Sequence, residues 1–274
     1  MVDDWLHESM RRAKAALVDP TVPNPARVGD ALSGGRNNFE ADRRAAHTLM
    51  ATSPLVSGVV PALRAFHQRA VRYLVAEAGI RQFVDIGTRL AMSGNTHEVA
   101  QSLAQDCRIV YASNDPVVLS HARALAMSTA DGAVASLDAD PRCPAAILTG
   151  AAGTLDLDRP VAILLMATLA FVVDDTVAAG IVQSLIGAAP VGSYVALHHQ
   201  ASDIDPAAWV PIRRWNAISD RQMTLRSRGD VAGLLAGLDP VPPGLVPITE
   251  WRPEPDDPRV EHTVPVHGAV ARKP

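Results

Sequence analysis

The fold is decided by the stretch Arg81-Gln-Phe-Val-Asp-Ile-Gly87, which continues as Thr88-Arg-Leu-Ala-Met-Ser-Gly-Asn-Thr-His-Glu98. It begins as a buried strand, ends that strand in an acid and a glycine, forms a loop and then starts a helix. This order predicts a backbone turn and a helix N-terminus at the carboxyl edge of a parallel sheet, where nucleoside-type ligands bind. Arg89 is a bulky residue for such a turn.

Downstream of residue 81, apolar strand-like segments alternate with segments of helical period. The predicted strands are Gln82–Ile86, Arg108–Ala112, Ala133–Leu137, Val161–Ala167 and Ser193–His198. The predicted helices between them are Ser93–Gln105, Pro116–Met127, Cys143–Gly150 and Asp174–Ala188. Five strands joined by four crossover helices predict an α/β fold with a doubly wound, mostly parallel sheet.

The two ends of the chain depart from this alternation. The segment from Leu55 to Gly79 follows a helical period, whereas residues 21–39 contain too many turn formers to be one helix. We therefore predict an N-terminal helical cap or lid over residues 1–79 and a sheet domain over residues 80–274. The sheet domain is expected to carry a helical insertion at about residues 203–238, formed by Pro206–Asp220 and Arg228–Gly237.

Two late strands are predicted after the insertion. They are Leu245–Trp251 and Thr263–Arg272, close enough in sequence to pair antiparallel at the edge of the sheet. The sheet is thus expected to be parallel except at this edge.

Composition limits the classes of protein that this chain fits. Of its residues, 48% are hydrophobic and 20% are charged, which is typical of a globular protein and excludes wholesale disorder. The net charge is −4 and no lysine cluster is present, so no nucleic-acid partner is expected. The longest apolar run, Val161 to Val173, is shorter than the roughly 20 residues that span a bilayer, so no membrane partner is expected either.

The cysteines and the N-terminus indicate a cytoplasmic protein. Cys107 and Cys143 lie far apart and in no metal-ligand spacing, and the N-terminus lacks an apolar signal core. His97-Glu98 lacks the second histidine of a zinc-binding helix, so no metal is expected.

Each predicted strand ends in a residue that could contact a ligand. Carboxyl ends of parallel strands share one edge of the sheet, so these residues are expected to lie close together. Asp115 before Pro116 is instead typical of a helix start, with a side-chain N-cap and a proline at the first helical position. The strand-end candidates are Asp85, Gly87, Asp138, Met166, His198 and His199.

Many separate motifs, in order along nearly the whole chain, resemble the actinobacterial S-adenosyl methyltransferase family, formerly described as a domain of unknown function. They include Pro23-Asn-Pro-Ala-Arg27, Gly34-Gly-Arg-Asn-Asn-Phe39, Arg69-Ala-Val-Arg-Tyr-Leu74, Gln82-Phe-Val-Asp-Ile-Gly-Thr88, Gly94-Asn-Thr-His-Glu-Val-Ala100, Asn114-Asp-Pro-Val-Val-Leu119, Pro190-Val-Gly-Ser-Tyr194 and Trp251-Arg-Pro253. The resemblance implies a Rossmann-like class I methyltransferase fold and the cofactor S-adenosylmethionine.

The resemblance also implies which residues contact the cofactor. The turn after the first strand would hold it through Asp85, Gly87, Thr88 and Arg89, with Met166 after the fourth strand. Ser113 and Asn114 would lie at the ribose and Asp138 at the adenine amine. The N-terminal helices and the loop from Gly35 to Phe39 would close over the donor methyl group, with Arg36, Asn37, Asn38 and Phe39 as the substrate or lid residues.

The chain departs from the family pattern on the cofactor side. Arg89 replaces the second glycine of the turn, and Ser113 replaces the acid that accepts hydrogen bonds from both ribose hydroxyls. Serine cannot supply the two charged acceptors of a carboxylate. Losing one charged hydrogen bond costs roughly 1.5–3 kcal/mol, or about ten- to a hundredfold in affinity.

Three functions fit this sequence. The first is an S-adenosylmethionine-dependent methyltransferase that acts on a small molecule, with His198 or His199 as the general base because histidine titrates near neutral pH. The second is a degenerate fold with weak or lost cofactor binding that serves as a binding or regulatory protein. The third is an enzyme of specialised metabolism that does not methylate. The methyl acceptor and the oligomeric state stay open, with a homodimer as one alternative.

Overall fold

Three helices precede the sheet in the computed structural model, which describes residues 18–87, 94–125, 128–166 and 168–274. They are α1 (Pro25–Leu32), α2 (Glu40–Thr52) and α3 (Leu55–Ala76). The predicted helix from Leu55 is confirmed and ends three residues earlier than expected. Phe66, Ala70, Val71 and Leu74 are fully buried, so one face of α3 belongs to the core of the sheet.

Helix α1 lies inside the segment that the turn formers suggested was irregular. Asn24 caps it, because its Oδ1 accepts hydrogen bonds from the backbone N–H groups of Ala26 at 2.9 Å and Arg27 at 3.4 Å. Pro25 occupies the first turn, where its missing N–H costs nothing. An Asn-Pro pair is thus a helix start here as well as a turn signal.

The strands and crossover helices follow the predicted order. The strands are β1 (Gln82–Ile86), β2 (Arg108–Ser113), β3 (Ala133–Asp138), β4 (Ala162–Met166) and β5 (Tyr194–Gln200). The helices between them are α4 (Thr96–Leu103), α5 (Pro116–Leu125), α6 (Pro144–Ala151) and α7 (Asp175–Ala188). A 3-10 turn, Thr168–Phe171, follows β4.

The strand order places the ligand-binding edge. Along the sheet the order is β3-β2-β1-β4-β5, with these five strands all parallel, and the later strands β8 (Val266–Arg272) and β6 (Asp239–Pro240) follow β5. The chain builds outward from β1 to β3 and then crosses to β4 on the other side of β1. In such sheets the crevice for a ligand opens at the carboxyl ends of the strands where the direction of winding reverses.

Two helical layers cover the sheet, as the alternation of side chains along a strand requires. Val84 and Ile86 of β1 face one apolar core, together with Ile147 of α6 and Leu185 of α7. Phe83, the residue before Val84, faces the other core, which α3 and α4 cover. The prediction of a doubly wound, Rossmann-like sheet is confirmed.

The C-terminal part supplies the insertion and the antiparallel strands. A 3-10 turn (Pro206–Ala208) leads into α8 (Trp209–Ile218), and α9 (Arg228–Leu234) follows. Strand β8 (Val266–Arg272) runs antiparallel to β5 and also pairs with β6 (Asp239–Pro240) and β7 (Val246–Pro247).

The predicted late strand Leu245–Trp251 is much shorter in the structure. Only Val246 and Pro247 pair with β8. One further backbone hydrogen bond, from the Ile248 N–H to the Val266 carbonyl at 3.0 Å, lies just past Pro247.

Among the described residues, no single helix is long and apolar enough to cross a membrane. Helices α2 and α3 satisfy the length and composition criteria only as a pair, and the two are bent by 112° at the break between them.

Candidate functional site

A cleft of about 620 Å³ opens at the carboxyl ends of β1, β2 and β4. We call its sheet side the strand-end rim, formed by Gly87, Ser113, Asn114, Asp140 and Met166. Four of these five residues were predicted from the sequence as ligand contacts. Thr88 and Arg89, also predicted, lie outside the described residues.

Gly87 is the residue of the rim that cannot carry a side chain. Its φ is +76°, a left-handed conformation that glycine adopts without strain. A Cβ placed on it would lie 2.2 Å from Oγ1 of Thr168. Thr168 is held there because its Oγ1 donates a hydrogen bond to the Ile86 carbonyl at 2.5 Å. Glycine is therefore required here both by the left-handed backbone and by the close approach of Thr168, and Gly87 lines the cleft.

Ser113 closes the end of β2 and is 5% exposed. Its Oγ accepts a hydrogen bond from the Asp115 N–H at 3.1 Å, which leaves its hydroxyl hydrogen available to a ligand. Asp115 caps α5, as predicted, because its Oδ1 accepts from Val117 N–H at 2.8 Å and Val118 N–H at 3.0 Å. Both side chains line the cleft, but Asp115 cannot replace the missing carboxylate without giving up the cap.

The acid that lines the cleft after β3 is Asp140, which the sequence reasoning missed. Asp138 ends β3 beside Ser113 in the sheet register, but it is exposed and lies outside the cleft lining, so the prediction for it is corrected. Asp140 accepts from Arg142 Nε at 3.0 Å and Nη2 at 2.7 Å. The hydrogen bond from Arg142 lowers the pKa of Asp140, so this carboxyl is ionised near neutral pH.

Asp85 faces the base of the loop after β1 and is absent from the residues that line the cleft. It is 5% exposed, and its Oδ2 accepts a hydrogen bond from Thr96 Oγ1 at 2.6 Å. Thr96 is the first residue of α4 and also contacts His67 Nε2 at 2.8 Å. Asp85 thus joins β1 to the start of α4.

The loop Arg36-Asn37-Asn38-Phe39 braces α1 and does not line the cleft. Asp30 of α1 accepts hydrogen bonds from the Asn37 N–H at 2.8 Å and from Asn38 Nδ2 at 2.7 Å. Arg36 is exposed, and Phe39 lies under the Arg27 guanidinium at 5.0 Å. The prediction of direct substrate contacts from this loop is corrected, because α1 itself lines the cleft instead.

His198 and His199 do not line the cleft, so the prediction that either is the general base is wrong. Successive residues of a strand face opposite sides, and both sides of β5 are covered. His198 is 1% exposed and packs edge-on against Phe66 at 6.1 Å between ring centroids.

His199, on the opposite face, is fully buried. Its Nε2 accepts from Arg226 Nη1 at 2.7 Å, and its Nδ1 therefore donates to the Gln200 carbonyl at 2.9 Å. Burial lowers the pKa of His199 to about 4, so the ring is neutral near pH 7. Arg226 also donates to the carbonyls of Leu169 and Val172, which ties the turn after β4 to β5.

The other side of the cleft is an apolar chamber between the N-terminal helices and α8. It is lined by Val28, Val56, Leu63, Phe171, Trp215 and Leu225. These side chains come from α1, α3, the turn after β4, α8 and the segment that follows α8. No short sequence motif identifies these residues, because five separate parts of the chain build the chamber.

Ionisable side chains are few in the cleft. Of the described residues that line it, none is a histidine, glutamate, lysine, tyrosine or cysteine. Asp115, Asp140 and Arg142 lie on the sheet side, and the exposed residues Asp220 and Arg221 lie near α8. Across the described parts of the chain, no group of three His, Cys, Asp or Glu side chains could hold a metal ion.

Comparison with known proteins places the chain in a family. A model of the S-adenosyl methyltransferase family matches residues 11–274. A DUF574 family protein from Streptomyces avermitilis MA-4680 is 37% identical, with a TM-score of 0.89, and the match covers 92% of this chain and 98% of that one. A Thermobifida fusca YX protein described as a candidate methyltransferase is 34% identical, with a TM-score of 0.84, and the match covers 92% of this chain and 96% of that one.

No curated protein matches the chain. The family match over nearly the full length agrees with the parallel sheet and with the cleft at its carboxyl edge. The chain belongs to the S-adenosyl methyltransferase family, whose cofactor is S-adenosylmethionine.

Proposed function

We propose that this protein is an S-adenosylmethionine-dependent methyltransferase that acts on a small molecule. The observation that carries the proposal is the position of the cleft, which opens at the carboxyl ends of the parallel strands, is lined there by Gly87, Ser113 and Met166, and is large enough for a small ligand. When bound, S-adenosylmethionine supplies an electrophilic methyl group on a positively charged sulfur.

The residues of the rim fit the cofactor along its length. Gly87 lines the cleft directly after β1, where its backbone is the surface that the cofactor would contact. Ser113 donates its hydroxyl hydrogen to the ribose, since its oxygen is already engaged by the Asp115 N–H. Asn114 adds a neutral amide beside it.

Asp140 is the acceptor that we assign to the adenine amine in place of Asp138. The pairing with Arg142 holds it ionised and fixed in position. A charged acceptor at the adenine end offsets part of the affinity that Ser113 loses at the ribose.

The apolar chamber aligns the methyl acceptor and excludes water. Methyl transfer is a displacement at carbon, so its main requirements are an aligned nucleophile and a dry site. Since His198 and His199 lie outside the cleft, neither takes the proton of the acceptor. We expect acceptors that are nucleophilic without a histidine base and whose proton passes to bulk water when the methylated product leaves the cleft.

Calorimetry with S-adenosylmethionine and S-adenosylhomocysteine tests the proposal. We expect one binding site, and a dissociation constant about tenfold or more weaker than in a relative with an acid at the position of Ser113. Absence of heat at millimolar concentrations of both ligands would contradict the proposal.

Ser113 also favours a second candidate, a binding protein with a decayed cofactor site. The two candidates differ in cofactor affinity. A purified protein that carries S-adenosylmethionine or S-adenosylhomocysteine through chromatography removes this alternative.

A further inference from the structure

The strongest unexplained feature of the cleft is the side chain of Gln200, the last residue of β5. Gln200 lines the cleft, and its Oε1 is buried without a hydrogen-bond partner among the described residues. A buried acceptor that has lost its water costs free energy until a donor reaches it. Such an atom in a ligand cleft indicates where a donor of the ligand belongs.

The backbone holds Gln200 in place. Its carbonyl accepts from the Arg226 N–H at 3.1 Å and from His199 Nδ1, and the residue pairs with Val266 of β8. Strand β5 is therefore already ordered at Gln200 before a ligand binds. This lowers the free-energy cost of forming a hydrogen bond to the Gln200 amide.

The surroundings limit the charge of the ligand. The apolar chamber is one part of the cleft, and the charged lining residues lie in its other parts: Asp115, Asp140 and Arg142 on the sheet side, and the exposed residues Asp220 and Arg221 near α8. An ion placed in the chamber would lose its hydration without gaining a buried counter-ion. A neutral, largely apolar molecule loses little and gains contact with Phe171 and Trp215.

We propose that the methyl acceptor is an uncharged, mainly hydrophobic molecule that donates a hydroxyl or amino hydrogen to Gln200 Oε1. This inference rests on the proposed function, and it assigns the acceptor class and a specificity-determining residue. Gln200 receives a hydrogen bond but takes no proton, because an amide oxygen is a very weak base.

Three naphthalene probes of similar shape test this acceptor class by equilibrium dialysis in the presence of S-adenosylhomocysteine. Naphthalene has no donor, 1-naphthol has one, and 1-naphthoate is an anion. We expect 1-naphthol to bind about three- to tenfold more tightly than naphthalene, and 1-naphthoate to bind most weakly. Equal or tighter binding of 1-naphthoate, or retention of none of the probes, overturns the proposal.

Gln200→Leu isolates the amide. We expect this variant to lose the preference for 1-naphthol over naphthalene while its affinity for naphthalene is unchanged. Gln200→Met, which has a more flexible side chain, should show the same loss. Gln183→Leu is the matched control, because Gln183 is exposed on α7 and its amide bonds to the Ala236 carbonyl outside the cleft. A preference for 1-naphthol that survives in both Gln200 variants overturns the assignment.

Calorimetry with S-adenosylhomocysteine separates this proposal from the proposed function. The Gln200 variants are expected to keep the wild-type affinity for this ligand. Failure of the wild-type protein to bind it contradicts the proposed function, whereas normal binding with the wrong probe preference contradicts only the acceptor class.

Discussion

At the scale of single residues, some residues of the site can be predicted from the pattern of strands in the sequence, and others cannot. Gly87, Ser113 and Met166 end strands and lie on the rim, so the sequence could predict them. Asp140 lies two residues beyond the end of β3, and only the path of that loop decides which acid lines the cleft. His198 and His199 of β5 were predicted as candidates for the general base from their position at a strand end. That position does not show whether other elements cover the two faces of the strand, and here both faces are covered.

Gly87→Ala is expected to damage both the fold and the cofactor site. The new Cβ would lie 2.2 Å from Thr168 Oγ1, and the alanine would have to adopt a left-handed backbone conformation. Gly79→Ala is the matched control, since Gly79 has a φ of +72° and no atom within 4 Å of such a Cβ. We expect Gly87→Ala to lower the free energy of unfolding by about 1–3 kcal/mol more than the control does.

Chemical denaturation of both glycine variants, with calorimetry against S-adenosylhomocysteine, makes this comparison. Equal losses of stability in the two variants, with cofactor affinity intact in Gly87→Ala, would show that the contact with Thr168 is unimportant.

Ser113→Asp is expected to tighten cofactor binding, because a carboxylate accepts from both ribose hydroxyls with charge. The gain should be about ten- to a hundredfold in the dissociation constant for S-adenosylhomocysteine. Combining it with Arg89→Gly, which restores the glycine of the family turn, should tighten binding further. Ser113→Asn is the uncharged control, and an unchanged dissociation constant in the Asp variants would mean that the ribose lies elsewhere.

At the scale of elements, Arg226 joins three parts of the structure that meet at the cleft. It donates to Leu169 and Val172 in the turn after β4, to His199 in β5, and to Asp175 of α7 at 2.8 Å. The sequence predicted β4, β5 and α7 well, since each has a clear apolar period. It could not predict this connection, because an arginine between two elements looks like any surface charge.

Arg226→Gln is expected to destabilise the protein by about 3 kcal/mol, because the buried carbonyls lose their donor. Arg43→Gln is the control for a surface arginine, whose ion pair with Glu40 is exposed and should contribute about 0–1 kcal/mol. Urea unfolding measures both. Similar losses of unfolding free energy in the two variants would contradict the conclusion that the buried hydrogen bonds of Arg226 stabilise the protein.

His199 makes the stability of this junction depend on pH. The pKa of His199 is about 4 in the folded protein, whereas its ordinary value is 6.5. Between these two pH values the unfolded chain binds a proton at this residue and the native protein does not. Stability is therefore full near pH 7 and above, falls as the pH drops below 6.5, and stops falling from this source near pH 4. The loss approaches about 3 kcal/mol.

His199→Gln removes this titration while keeping an acceptor for Arg226. We expect the difference in unfolding free energy between wild type and variant to shrink steadily from pH 7 to pH 4, measured by urea unfolding at each pH. A difference that does not change with pH would show that His199 does not remain neutral in the native protein.

At the scale of the whole molecule, the order of strands is what brings distant residues to one cleft. The sequence predicted a doubly wound parallel sheet, because the alternation of strands and helices leaves few topologies open, but it did not give the order of the strands. It could not predict the apolar chamber, which depends on how the N-terminal helices pack around α8. On the proposed function, the carboxyl edge of the sheet holds the cofactor and the surrounding helices select the acceptor.

The most direct test is a crystal structure of the protein grown with S-adenosylhomocysteine. We predict that the ligand lies along the strand-end rim, with its chain against Gly87, its ribose at Ser113 and its adenine beside Asp140. Ligand bound elsewhere on the molecule, or a rim left empty at millimolar ligand, would contradict the account.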